Sequence, residues 1–139
     1  MAMEKNIKIL LIEDNPGDAY LIEEHLGEFA NFSYEFKNVG TLNEVLSILK
    51  EQPYDVILLD LGLPDSDGVN TYLSVHNKNP LVPIIILTGL NDGKIESHAL
   101  KEGAQDFLVK GKTEGRLLQS IIQCSIERKK RVAFYYLRL

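Results

Sequence analysis

The chain has 139 residues, 45% hydrophobic and 25% charged, which suffices for one domain with a buried core. No apolar run approaches the roughly 18 residues of a membrane span. The first residues show no signal-peptide pattern, and Cys124 is the only cysteine, so an internal disulfide is excluded and a cytoplasmic protein is expected. The net charge of −5 is uneven: residues 127–139 hold five basic side chains against Glu127, which leaves −9 on the rest and argues against nucleic acid as a direct ligand.

Ile7-Lys8-Ile9-Leu10-Leu11-Ile12 reads as the first strand and ends in two adjacent carboxylates, Glu13 and Asp14. Asn15 followed by Pro16 is an N-cap and a favoured first helical residue, and the first helix continues through Leu21, Ile22 and Leu26. Phe32-Ser33-Tyr34-Glu35-Phe36 alternates as an edge strand with one wet face does. Thr41 to Glu44 forms a capping box for a second helix with Leu42, Val45, Leu46 and Leu49 on its apolar stripe.

Val56-Ile57-Leu58-Leu59-Asp60 is an apolar run stopped by a carboxylate, a strand buried on both faces. The following Leu61 to Gly68 is rich in Gly, Pro and Asp and reads as a loop, with a third helix from about Gly68 to His76. Pro83 to Leu87 is a fourth strand ending in Thr88. A fourth helix starts near Asn91 and stops at Gly103, a fifth strand covers Phe107 to Val109 and ends in Lys110, and a last helix starts near Thr113.

Alternating strands and helices predict an α/β fold of right-handed units, a doubly wound five-stranded parallel sheet in the order 2-1-3-4-5 with helices on both faces. Ligands of such sheets bind beyond the carboxyl ends of the strands, where the order reverses. Glu13, Asp14 and Asp60 flank that point, with Thr88 and Lys110 on the same rim. Three carboxylates in one crevice repel, which raises at least one pKa, and a hard cation such as Mg²⁺ relieves the repulsion. Such a site suits phosphoryl transfer, with Asp60 as nucleophile and Lys110 and the Thr88 hydroxyl on phosphoryl oxygens.

These residues, with Leu63-Pro64 and Gly68 behind Asp60 and with Phe107 before Lys110, resemble the receiver domain of two-component response regulators over about residues 6–126. The resemblance implies a flavodoxin-like fold and phosphorylation of Asp60 by a sensor histidine kinase. It implies Mg²⁺ on Asp14, Asp60 and the backbone carbonyl of Gly62, with Glu13 supporting through water. It further implies that Thr88 and Phe107 switch the surface of the fourth helix, fifth strand and fifth helix. The sequence departs from the family at Gly111, where proline is usual, and Phe107 carries no hydroxyl.

A haloacid-dehalogenase-like phosphatase would need an acid two residues after Asp60, where Gly62 stands. A flavodoxin-like electron carrier would need an uncharged phosphate loop in place of Glu13-Asp14. A non-phosphorylated interaction module on the same scaffold is a third alternative. His25, His76 and His98 lie at no metal-ligand spacing.

Residues 1–126 are assigned to the domain and 127–139 to an extension of the last helix, basic and then aromatic. This extension suggests a link to an output module or a homodimer contact. A heptad on Ile122, Ile126, Ala133 and Tyr136 would place Lys129 in its core, which supports a coiled coil only weakly.

Overall fold

The computed structural model describes residues 6–29, 31–89, 101, 104, 106–110 and 115–138, without the side chains at 29, 67, 88, 106 and 133–138. The elements run β1 (Ile7–Ile12), α1 (Pro16–Phe29), β2 (Tyr34–Val39), α2 (Leu42–Glu51) and β3 (Val56–Asp60). There follow a two-residue pair, β4 (Gly62–Leu63) and β5 (Ser66–Asp67), then α3 (Gly68–Lys78), β6 (Ile84–Thr88), β7 (Asp106–Val109) and a C-terminal helix (Gly115–Arg138). Of the expected fourth helix only Lys101 is among the described residues; His98, Gly103 and, after β7, Gly111 lie outside them.

The central sheet is wholly parallel and ordered β2-β1-β3-β6-β7. Counting its five strands alone, this is the 2-1-3-4-5 order that the sequence pattern predicts. Side chains alternate between faces along each strand, and so each apolar run supplies two cores. Leu10, Ile12, Ile57, Leu59, Ile84 and Ile86 pack with Val45 of α2 and Tyr72 and Val75 of α3. Ile9, Leu11, Val56, Leu58, Ile85 and Leu87 face Ala19 and Leu26 of α1 and Leu118, Ile122 and Ile126 of the C-terminal helix. Among the described residues, no helix is long and apolar enough to cross a membrane.

Local chemistry sets the helix starts. Asn15 Oδ1 accepts from the Asp18 amide at 3.1 Å, and Thr41 Oγ1 accepts from the Glu44 amide at 3.1 Å. Gly68, the first residue of α3, has φ +60°, a left-handed conformation that a side chain would strain.

Besides one-residue shifts at β6 and β7, three differences from expectation stand out. The second strand is Tyr34–Val39 rather than 32–36, because its backbone pairs with all of β1, from Ile7 beside Tyr34 to Ile12 beside Val39. The third helix continues to Lys78. The stretch after Asp60, read as a loop, contains the antiparallel pair of Gly62 with Asp67 and Leu63 with Ser66. Leu61 and Leu63 are buried in the α2–α3 core and pull that hairpin inward.

Candidate functional site

Register brings the carboxylates together. Ile12 lies beside Leu59, and so the next residues, Glu13 and Asp60, emerge side by side at the carboxyl rim of the sheet. Across the sheet Thr88 pairs with Val109, and so Lys110 follows on the same rim. Carboxylate oxygens of Glu13, Asp14 and Asp60 all lie within 4.8 Å of one another. The backbone of Thr88 ends β6 at this rim; its hydroxyl is outside the described atoms.

Lys110 closes the cluster. Its ammonium bonds Glu13 Oε1 and lies 3.0 Å from Asp60 Oδ2 and 3.3 Å from Asp18 Oδ2. Burial pulls the Lys110 pKa down, but the bonds and charges of Glu13 and Asp60 outweigh it and hold the lysine protonated. Glu13 is buried, and its other oxygen, Oε2, accepts from the Asn15 amide at 3.2 Å. Its pKa is pushed up to about 7, chiefly by burial; Lys110 opposes this and neighbouring Asp60 adds to it. The pKa elevation expected from crowded carboxylates thus falls on Glu13, and desolvation is its larger cause.

Asp60 Oδ1 accepts from the Gly62 amide at 3.0 Å, which ties the acid to its own loop. A Cβ at position 62 would stand 3.8 Å from that oxygen, and so glycine keeps this side of Asp60 open. Phe107, half-buried on β7, packs against the core under α2 and α3. His25 lines a pocket beside Lys110 with Asp18, Leu21 and Leu118, while His76 stacks on Tyr72 with ring centroids 5.4 Å apart. Among the described residues Glu13, Asp14 and Asp60 form the one acidic cluster able to hold a metal, and neither described histidine belongs to it.

Sequence reasoning missed Asp18, Thr71 and Asp65. Asp18 carried a signal, an acid in the first turn of a helix that starts at the rim. The hydroxyl of Thr71, wholly buried on α3, donates to the Leu61 carbonyl at 3.3 Å and shares a 2.8 Å hydrogen bond with Ser66 Oγ. Thr71→Val is expected to cost about 1–2 kcal/mol in urea denaturation, since it orphans two groups while keeping the side-chain shape. An unchanged midpoint would mean that the loop holds without this hydroxyl.

The cluster can do two things chemically. Its oxygens suit a hard divalent cation, which would relieve the buried charge on Glu13, and an ammonium stands beside an aspartate whose loop leaves it open.

Comparison with known proteins agrees with this geometry. The family model described as response regulator receiver domain matches residues 9–122. The response regulator protein PilR of Pseudomonas aeruginosa is 31% identical over 114 residues, 82% of this chain and 25% of its own length, so the chain spans about a quarter of that relative. A response regulator receiver domain protein from Clostridium thermocellum superposes with a TM-score of 0.78 at 28% identity, covering 91% of this chain and 98% of the other. The receiver domain of a Pseudomonas aeruginosa sensor histidine kinase, with a magnesium ion coordinated in its active-site cleft, gives a TM-score of 0.74 at 30% identity, covering 88% and 99%. With fold, strand-end chemistry and family model in agreement, this chain belongs to the response regulator receiver domains of two-component systems.

Proposed function

We propose that this domain accepts a phosphoryl group on Asp60 from the phosphohistidine of a sensor histidine kinase, in a cytoplasmic relay that depends on Mg²⁺. The observation that carries the reading is the shared ammonium of Lys110, bonded to Glu13 and 3.0 Å from Asp60 inside a three-carboxylate cluster. Asp14, Asp60 and the Gly62 carbonyl would hold the ion, with Glu13 in support through water. When bound, Mg²⁺ neutralises charge on the transferring phosphoryl group.

The chain's own residues do the rest. A carboxylate oxygen of Asp60 attacks phosphorus, the O–P bond forms and the P–N bond breaks. The imidazole leaves with its other nitrogen protonated. Lys110 turns from the carboxylates to a phosphoryl oxygen, and the Thr88 hydroxyl takes another. Phe107 then shifts, changing the surface formed by the expected fourth helix with β7 and the C-terminal helix. The role is regulatory: Gly62 supplies no general acid for the turnover that a phosphatase with an aspartate nucleophile needs.

Acetyl phosphate with Mg²⁺, followed by mapping of the modified residue, tests the reading. Label on Asp60 is expected; label elsewhere, or steady turnover of a generic phosphomonoester, overturns it.

The helix beyond Ile126 serves as the link to an output module or as a homodimer contact. Arg128, Lys130, Arg131 and Val132 are exposed along it. A dimeric mass that becomes monomeric on removal of residues 127–139 is expected for the contact, and a monomeric full chain rejects it.

A further inference from the structure

The hairpin after Asp60 is fastened to a helix far away in sequence. Asp65 accepts from the Leu42 amide at 2.8 Å and from the Asn43 amide at 3.0 Å, one bond to each carboxylate oxygen. Thr41 Oγ1 takes the Glu44 amide. The amides that the first turn of α2 leaves open are therefore divided between a local cap and a carboxylate more than twenty residues later. The two amides hold the Asp65 carboxyl below the usual carboxylate range.

The other fixed points surround the acidic cluster. Gly62 pairs with Asp67 and donates to Asp60, and Thr71 anchors Leu61 and Ser66 to α3. Just before Thr41, a Cβ on Gly40 would stand 3.5 Å from Asp14 Cα. The start of α2 thus lies against one acidic loop and is capped by the other.

We infer that Asp65 is a positioning residue for Asp60: it clips the hairpin to the start of α2, fixes the Gly62 amide on the Asp60 carboxylate, and couples α2 to occupancy of the site. This rests on Asp60 as the phosphoacceptor. Coupling between sites is reciprocal. A clip that orders Asp60 is therefore itself tightened when the site fills.

Amide hydrogen exchange on the full chain tests this with wild type, Asp65→Ala and Asp65→Asn. Without ligand, exchange at Gly62 is expected to quicken about fivefold in Asp65→Ala and less in Asp65→Asn, which keeps one acceptor. Amides of Leu10 and Leu58 should keep their rates, which separates loss of the clip from unfolding. With Mg²⁺ and beryllofluoride, exchange at Leu42 and Asn43 should slow in wild type and not in Asp65→Ala. Unchanged Gly62 exchange overturns the inference. So does a wild type that labels at Asp60 while Leu42 and Asn43 ignore beryllofluoride; a wild type that neither labels nor binds Mg²⁺ overturns the phosphoacceptor reading beneath it.

Discussion

Asp60→Asn is expected to reduce acetyl phosphate labelling to background while leaving the fold intact. An amide oxygen is not a nucleophile towards phosphorus at neutral pH, and no other described acid has the same placement. Glu13 is buried and bonded to Lys110 and the Asn15 amide. Asp14 is exposed, and Asp18 lies in the first turn of α1. The structural cost is small because opposing effects offset. Asparagine can still accept from the Gly62 amide but loses the charge pair with Lys110 at 3.0 Å, while the repulsion on Glu13 falls. A stability within about 1 kcal/mol of wild type follows. Persistent stoichiometric labelling of this variant would remove Asp60 from the mechanism.

Stability should fall as pH rises from about 4.5 to about 7 in the absence of divalent cations, and Glu13 is the cause. In the folded chain Glu13 keeps its proton up to about pH 7, against 4.5 for an ordinary glutamate. Between these values the folded state binds the additional proton. The contribution is therefore complete below pH 4.5 and lost as pH climbs through 7. Its size is at most about 3 kcal/mol.

Glu13→Gln should flatten this part of the profile and, without Mg²⁺, melt higher than wild type at pH 7.5. Mg²⁺ should stabilise wild type at that pH, by about 2.7 kcal/mol at a hundred times its dissociation constant, and a chelator should reverse the gain. Thermal melts across pH, with Mg²⁺ or with chelator, check this. Parallel profiles for the two proteins would show that Glu13 does not carry the pH dependence.

Part of this site was legible in one dimension. Asp60 and Lys110 each follow an apolar run, and a run buried on both faces must end at the sheet's rim. Asp18 was less legible, because a first-turn acid is ordinary at any helix N-terminus. Asp65 and Thr71 were not legible. Asp65 reads as a turn residue after proline, and Thr71 as a polar helix position; their partners depend on where α2 and α3 are laid against the sheet.

By itself, the sequence determined that the central sheet has five parallel strands between two helical layers and that acids and a lysine occupy their ends; the short antiparallel pair after Asp60 escaped it. Local periodicity and turn chemistry suffice for that, because side-chain direction along a strand is fixed by the backbone. Only the tertiary structure decided which acid is buried. Glu13 and Asp14 are neighbours in the chain, yet Glu13 turns inward to Lys110 and Asp14 stays exposed. That choice depends on strand register and on a lysine 97 residues away, and desolvation, which separates the chemistry of the two acids, is a property of the packed molecule.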